Sequence, residues 1–386
     1  MFLLPRYATL KFFVVIVFGL QACSPSYTYK ENAVPELVKP SLRLSNLFLK
    51  TKLVCFGRYA LEVPEEAQLT WGSASFPSKL QVFDDGPAIS QIRIDENIAI
   101  IKHKDITAEI TYNGVGPIDN SWQVQYYPSS FAKSEKQLYF FDTYVLKGKY
   151  TFLLGGSLNG QTQEAAVARE ETRAKSLRFR APDELPVEPG FCIEHGFMAE
   201  ARYSDQEMVN IGIHIPSLPD VSFSISSNKD AYGDYTPEEF EKNERQKLSL
   251  LFRIQQAKDD QGIHYPSRTV LREGKRDVQH WHGEESLIVR NDGTHDFEWA
   301  LVGTPKDVAN PSEFNARMYT KVEHNTVGAA KAASLSDAEA VALWDRLLAG
   351  FKFRVKVPKA PEGSYFMLAG SKTPPQVNDI SVKFFF

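Results

Sequence analysis

Beyond residue 50, apolar and polar positions alternate along most of the chain, a period typical of β-strands with one buried face. The alternating segments are rich in β-branched and aromatic residues and are separated by Gly, Asn and Asp. In the first half they are LQVFDD, SQIRID, IAIIKHKDITAEITYN and KQLYFFDTYVLKGKYTFLLGG. In the second half they are MVNIGIHI, VSFSISS, ESLIVRND, DFEWALVG and ARMYTKVEH. The pattern predicts a protein built mainly of strands.

Helical periodicity is found in a few segments between these strands. A long helix is predicted from Thr236 to about Lys258, because Thr236 and Glu239 have the spacing of a capping box. A second helix begins at Ser336, three residues before Glu339, and continues as an amphipathic segment. Because helices and strands do not alternate regularly, the predicted fold class is α+β, with two related domains that are each a mainly antiparallel sheet with packed helices.

Two long segments share the same order of features, which favours an internal duplication. Each opens with a cysteine-containing apolar strand, KLVCFGRYALEVP in the first and GFCIEHGFMAEARY in the second. Each closes with a helix and a short alternating strand that ends in proline, LRFRAP and FKFRVKVP. The predicted domains are residues 49–183 and 184–358, with PDELPVEP as the linker. Residues 359–386 show no periodic core and are predicted to be a loose tail.

The N-terminus has the features of an export signal. Basic Arg6 and Lys11 precede the apolar run FFVVIVFGL. This run is shorter than the roughly 20 residues that a helix needs to cross a bilayer. The run ends in LQAC, which predicts a lipoprotein signal peptide over residues 1–22 and lipidation of Cys23. A plain signal peptide cut near Ala22 is the alternative.

The residues after Cys23 bear on where the protein would be held. Ser24 stands where Asp would signal retention in the inner membrane, so we expect the periplasmic face of the outer membrane. Residues 23–48 are polar, contain prolines and have no sustained period, which predicts a tether between the lipid and the first domain.

Composition and charge exclude several classes of function. Hydrophobic residues make up 43% of the 386-residue chain and aromatic residues 12%, so the chain has enough apolar material for folded cores. With 44 basic and 48 acidic residues and no basic stripe, a nucleic-acid partner is not expected. No nucleophile elbow, zinc-protease motif, phosphate loop or dinucleotide fingerprint is present, so neither an enzyme nor a bound cofactor is predicted.

A few polar or aromatic clusters have the composition of a site. In QHWHGEE, His280 and His282 would lie on one face of a strand, but no second pair of ligands is visible and a polar strand face is the preferred interpretation. The paired carboxylates of DDGP (84–87) and AKDDQG (257–262) are interpreted as turns. The aromatic residues of SWQVQYYPSS (121–130) fit either a half-buried strand or an interface.

The motif CFGRYALEVPEEA, followed by LRFRAPDELPVEPGFCIEHGFM, resembles the immunity proteins of type VI secretion systems that protect against phospholipase effectors of the Tle class. The GEE after HWH, leading into SLIV, is similar to a family feature as well. The resemblance extends from about residue 50 to residue 358 and does not include the C-terminal tail.

The resemblance implies a two-domain α+β protein without catalytic residues. It implies a periplasmic inhibitor that binds a delivered phospholipase and blocks it by stoichiometric occlusion. Two other functions are compatible with the residues: a structural or envelope-assembly lipoprotein without an effector partner, and a metal-dependent hydrolase that uses His280 and His282.

Export would place Cys55 and Cys192 in an oxidising compartment, where an even pair of cysteines is normally bonded. A Cys55–Cys192 disulfide would link the two related segments near a pseudo-symmetry axis. Two buried free thiols are the alternative.

Overall fold

The structure, a computed structural model, describes residues 39–368 except 85, 136–137, 159, 204 and 321–332. The predicted signal peptide (1–22), the predicted lipidation site Cys23 and most of the predicted tether lie outside the described residues. The same holds for residues 369–386 of the predicted tail. Among the described residues, no helix combines the length and apolar character needed to cross a bilayer.

The first half begins with a short helix and an antiparallel hairpin and continues through six strands of a large sheet. Its elements are α1 (Leu42–Leu47), β1 (Thr51–Phe56), β2 (Tyr59–Pro64), β3 (Gln68–Ser75), β4 (Lys79–Phe83), α2 (Gly86–Lys104), β5 (Glu109–Val115), β6 (Ser121–Tyr127), α3 (Ser130–Glu135), β7 (Phe140–Lys147), β8 (Tyr150–Ser157), α4 (Gln163–Ser176) and β9 (Leu177–Phe179).

The second half follows a similar order. Its elements are β10 (Phe191–Ile193), β11 (Gly196–Met198), β12 (Met208–His214), β13 (Ser222–Asn228), α5 (Pro237–Glu239), a π-helical turn (Phe240–Glu244), α6 (Arg245–Leu248), α7 (Leu250–Gln261), a 3₁₀ turn (Gly262–His264), β14 (Arg268–Val278), β15 (Trp281–Arg290), β16 (His295–Leu301), β17 (Glu313–Tyr319), α8 (Asp337–Ala349) and β18 (Phe351–Phe353).

The large strands form one twelve-stranded sheet in the order β14-β15-β16-β17-β13-β12-β3-β4-β8-β7-β6-β5. In each half the first two strands of this sheet, β3 and β4 or β12 and β13, lie near its centre. A helical segment then leads to the far edge, and four strands return toward the centre, each antiparallel to the one before it. The halves meet where β3 pairs antiparallel with β12, with Trp71 opposite Ile211. The two halves therefore have the same topology, as the predicted duplication requires.

The short strands at the end of each half are exchanged between the halves. β9 pairs with β11 of the second half, with Arg178 opposite Phe197, and β18 pairs with β2 of the first half, with Lys352 opposite Ala60. Residue 60 lies five positions after Cys55, and residue 197 lies five positions after Cys192. The two small sheets are thus equivalent, and each contains strands from both halves.

The helices cover the two faces of the large sheet differently. On one face, α8 packs over the main core, where Trp344 contacts Phe223 and Phe297 with ring centroids 5.9 and 6.0 Å apart. The two short hairpins and α4 lie on this same core face. On the opposite face, α2 buries Ile94 in a separate cluster, and α7 lies against β15.

The strands predicted in SQIRID and IAIIKHK are wrong, because both segments belong to the helix α2 (Gly86–Lys104). Ile94, Ile98 and Ile101 recur at helical spacing, which directs them to the same side. That side meets Tyr144 in the cluster beneath the helix. Packing against the sheet therefore overrides the strand propensity of these β-branched residues.

The long helix predicted from Thr236 is present but interrupted. Its capping box is formed, because the Glu239 N–H donates to Thr236 Oγ1 at 3.2 Å and the Thr236 N–H donates to Glu239 Oε2 at 3.1 Å. A π-helical turn follows, and Ser249 has an extended backbone that separates α6 from α7. The capping box predicted at Ser336 and Glu339 is also formed at the start of α8.

Both ends of the described chain are packed more closely than the sequence predicts. The last part of the predicted tether forms α1, in which Leu44 is buried and the preceding Ser41 donates from Oγ to Glu339 Oε1 at 2.8 Å. The start of the predicted tail runs beside β18, where the Phe366 N–H donates to the Phe353 carbonyl at 3.0 Å. The conformations of these segments depend on distant partners, which a local pattern does not reveal.

Candidate functional site

The middle of the large sheet has one face that no helix among the described residues covers. Three neighbouring strands, β12, β13 and β17, place nine half-buried residues on it in three cross-strand rows. We call these residues the central polar face: Asn210, Gly212 and His214 on β12; Ser222, Ser224 and Ser226 on β13; and Asn315, Arg317 and Tyr319 on β17.

Strict alternation in the sequence produces this face. In β13, SFSISSN, Phe223 and Ile225 point into the core while the serines before and after them point away from it. The middle row is Gly212, Ser224 and Arg317, so small residues lie beside a single long one. Such a floor leaves room for the side chains of a protein partner.

The central polar face lies between two helical walls. In the first half, α2 covers the far strands of the same face, with Asn97 Nδ2 donating to Asp142 Oδ2 on β7 at 2.8 Å. In the second half, α7 covers β15, where the Leu251 N–H donates to Glu284 Oε2 at 2.8 Å. Because the two helices are held at opposite halves of the sheet, the three strands between them form the floor of a broad cleft in the part of the chain that the structure describes.

Charges at the β16 side of the face are paired. Arg317 donates from Nη2 to Glu298 Oε1 at 3.0 Å, and Arg290 donates from Nε to Asp296 Oδ2 at the same distance. Burial, followed by the nearby Asp296 carboxylate, raises the pKa of Tyr319, so its hydroxyl stays protonated at neutral pH. The face therefore presents hydroxyl and amide groups, and its chemistry is suited to hydrogen bonding with a partner.

The two cysteine hairpins lie together on the core face of the sheet. Cys55 and Cys192 are joined in a disulfide with their Cα atoms 5.9 Å apart, a separation within the usual range. Beside it, the Gly57 N–H donates to the Cys192 carbonyl and the Cys192 N–H donates to the Gly57 carbonyl, each at 2.8 Å. The linkage therefore joins the halves behind the sheet, opposite the central polar face.

The histidines of QHWHGEE do not converge. His280 lies in the turn of the β14–β15 hairpin and contacts the Ala309 carbonyl through Nε2 at 2.9 Å. His282 lies in β15, is exposed, and contacts Asp277 Oδ1 through Nδ1 at 2.9 Å. No group of three or more potential metal ligands occurs within the part of the chain that the structure describes. The hydrolase hypothesis therefore has no supporting geometry.

Asp84 of DDGP, the acidic residues of AKDDQG and the aromatic cluster belong to the folded framework, whereas Asp85 lies outside the described residues. Asp84 forms an ion pair with Lys149 at 3.1 Å, whereas AKDDQG is mostly the last part of α7 and only its Gly262, with φ 51°, ends the helix. The turn prediction for the acidic residues of AKDDQG is thus wrong. In β6, Trp122 and Tyr126 pack in the cluster beneath α2. This favours the half-buried strand for SWQVQYY.

Sequence reasoning missed the central polar face. Its signal was present in VSFSISS, where serine occupies every second position, but the alternation identifies an exposed strand face without indicating whether a helix covers it. The pairing of β13 with β17, about ninety residues away, could not be deduced from either strand.

Comparison with known proteins decides the family. A model of the Tle cognate immunity protein 4 N-terminal domain matches residues 52–180, and one of the C-terminal domain of the same family matches residues 184–356. The chain belongs to the Tle cognate immunity protein 4 family. It has the two α+β domains of that family and is an immunity protein, not an enzyme.

Solved structures share the fold of this Tle cognate immunity protein 4 member. The T6SS immunity protein TplEi from Pseudomonas aeruginosa, in complex with an "L" peptide, is 23% identical, has a TM-score of 0.59, and the match covers 79% of this chain and 99% of that one. The apo form of TplEi gives a TM-score of 0.60. The Tle4–Tli4 complex has a TM-score of 0.59 and is 23% identical, and the match covers 79% of this chain and 97% of that one. No curated protein matches the chain.

Proposed function

We propose that this immunity protein binds its cognate type VI secretion phospholipase effector in the periplasm and inhibits it by stoichiometric occlusion. The observation that carries the proposal is the central polar face, a floor between two helical walls that no described helix covers, on a member of the Tle cognate immunity protein 4 family. Two of the similar structures are immunity proteins in complex, one with a peptide and one with Tle4.

The geometry supports occlusion as the mode of inhibition. An enzyme segment that entered the cleft would be held between α2 and α7 and would lose its freedom to move during catalysis. Specific protein interfaces bury about 1,200–2,000 Å² in total, an area compatible with a floor of three strands and two walls. The disulfide on the opposite side of the sheet would keep the two halves in a fixed arrangement.

The proposed location follows from the N-terminal sequence. Signal peptide 1–22 would be removed, and lipidation at Cys23 would anchor the protein to the periplasmic face of the outer membrane. Residues 23–38, the part of the predicted tether outside the described residues, would link the lipid to the folded chain.

Titration of effector activity tests the proposal. Phospholipid vesicles are incubated with a fixed amount of the cognate effector and increasing amounts of the immunity protein, and released fatty acid is measured. We expect hydrolysis to fall linearly to an end point at a 1:1 ratio. Full hydrolysis with excess immunity protein would refute the proposed inhibition.

A substitution on the floor locates the contact. In the Ser224→Tyr variant, a large side chain in the middle row should obstruct the partner and weaken inhibition at least tenfold, while thermal unfolding stays close to that of the parent. The matched control is Ser134→Tyr, which makes the same change at an exposed position in α3. Equal inhibition by both variants would exclude the central polar face as the contact.

A further inference from the structure

The β3–β4 hairpin is only partly closed. β3 pairs with β4 at two positions, Ala74 with Leu80 and Ser75 with Lys79. The corresponding hairpin of the second half, β12–β13, is paired along its whole length, from Met208 opposite Asn228 to His214 opposite Ser222. Because the halves share one topology, the open hairpin is a local departure from the pseudo-symmetry.

A bulge on the other side of β3 accounts for the opening. The register between β3 and β12 shifts from Trp71 opposite Ile211 to Ala74 opposite Val209, so two residues of β3 lie opposite one residue of β12. A bulge bends its strand and increases the twist, which turns the first part of β3 away from β4. β4 itself stays paired with β8 through Phe83.

The result is a slot between the two strands, with a cavity of about 570 Å³. Its walls are β3, including Trp71, and β4 from Gln81 to Phe83, and the turn at Glu194 closes its base. Within the described residues, Gln68–Ser73 form no backbone hydrogen bonds toward β4. Both walls therefore present free strand edges, which are templates for the addition of another strand.

Chemical complementarity indicates what kind of segment fits. The half-buried Glu194 carboxylate has no hydrogen-bond or ion-pair partner among the described residues, so a basic side chain on the occupant would compensate it. Trp71 and Val82 offer apolar surface beside the free edges. At about 3.3 Å per residue, the free part of β3 is roughly 20 Å long and accommodates a segment of about six residues.

We propose that an extended segment of the effector enters this slot, adds a strand between β3 and β4, and places a basic side chain against Glu194. The inference rests on the proposed function and names a second contact beside the central polar face. The slot meets the central polar face at Ser75 and Met208, which line the slot and are paired with each other at the start of β12, whereas Glu194 belongs to the β10–β11 hairpin on the core face, so an added strand would contact both sides of the sheet. The occupant would fill the part of the β3–β4 interval that lies beyond the two paired positions.

Hydrogen exchange of the full-length immunity protein, alone and in its complex with the effector, tests this inference. Within Gln68–Ser73 and Gln81–Phe83, the alternate amides that point into the slot, and not toward β12 or β8, should exchange rapidly in the free protein and about tenfold more slowly in the complex. Slow exchange already present in the free protein would mean that the slot is filled by this chain or by a second copy, and would overturn the proposal.

A charge reversal provides a second test. Glu194→Lys should weaken the effector complex at least about tenfold, whereas Glu362→Lys, which makes the same change in an exposed turn outside the slot, should leave affinity unchanged. If the complex forms and hydrolysis stops while slot amides and Glu194→Lys show no effect, only the slot is refuted. If no complex forms with the parent protein, both the proposed function and the slot are refuted.

Discussion

Arg180 and Arg354 are equivalent residues that follow the two exchanged strands. The backbone N–H of Arg180 donates to the His195 carbonyl at 3.0 Å, and that of Arg354 donates to the Arg58 carbonyl at 2.9 Å. Burial lowers the pKa of Arg180 to about 10, and burial together with the neighbouring Arg58 charge lowers the pKa of Arg354 to about 9. Both remain charged at neutral pH, and each fixes one half of the chain to the hairpin of the other.

This reciprocal exchange predicts that the two predicted domains do not fold separately. Residues 49–183 alone would lack β18 for the first hairpin, and residues 184–358 alone would lack β9 for the second. Each fragment would also expose the free edge of β3 or β12. We expect neither fragment to unfold cooperatively, as measured by circular dichroism during heating.

Co-expression of the two fragments is the control, since it restores every exchanged strand. The pair should co-purify and regain a cooperative transition. A single fragment that melts cooperatively as a monomer would show that the exchange is not required for folding.

The disulfide predicts a large effect of reduction on stability. Cys55 and Cys192 are 137 residues apart, so the chain-entropy account gives an upper limit of about 4–5 kcal/mol for the cross-link. The Cys55→Ser/Cys192→Ser variant should lose up to this free energy of unfolding, measured with urea. Intact mass before and after reduction should differ by two hydrogens, and equal masses would show that the cysteines are unpaired.

The features that the sequence predicts correctly are those determined by near neighbours. The capping boxes at Thr236 and Ser336 need only residues three positions apart, and both are present. The repeated order of hairpin, helix and short strand is likewise visible along the chain. It indicates two related domains, and the structure adds that their sheets are continuous.

Features determined by distant partners are missed. The helix α2 is rich in isoleucine and resembles strand sequence until its packing against Tyr144 is known. In the exchange of the short strands, β18 pairs with β2, which lies more than two hundred residues earlier in the chain, so no local pattern predicts it. The central polar face and the slot are missed for the same reason. A local pattern does not show whether a helix covers a strand face or whether another strand pairs with a strand edge.

A buried charge network between β14, β15 and α8 predicts strong destabilisation when one member is removed. Arg272 donates to Asp345 Oδ2 from Nη1 at 3.0 Å and to Glu285 Oε2 from Nη2 at 3.2 Å. Burial acts to lower the pKa of Arg272, but hydrogen bonds to Asp345 and Glu285 outweigh it and raise the pKa. Arg272→Met leaves the buried Glu285 carboxylate without its cation and leaves Asp345 with Arg276 alone, so it should cost about 3–5 kcal/mol of unfolding free energy.

The matched control for this network is Arg346→Met, at the residue that follows Asp345 in α8. Arg346 is partly exposed and forms an ion pair with Glu62 at 3.1 Å, so its loss should cost no more than about 1 kcal/mol. Urea unfolding of both variants measures the difference. Equal losses would indicate that the two carboxylates are hydrated or protonated after the substitution of Arg272.

His280 predicts a specific dependence of stability on pH. Burial lowers the pKa of His280, and its buried Nδ1 has no hydrogen-bond partner among the described residues, so protonation would leave a new N–H unpaired. The unfolded chain takes up this proton as pH falls through about 6.5, while the folded chain does so only at lower pH. The free energy of unfolding should therefore decrease on acidification below about pH 6.5. His280→Gln, whose amide can donate to the Ala309 carbonyl, should show a smaller decrease than the parent when urea unfolding is measured across this pH range.

The control is His282→Gln, which makes the same change at an exposed position and should keep the decrease of the parent. Identical pH profiles for all three proteins would contradict the assignment to His280.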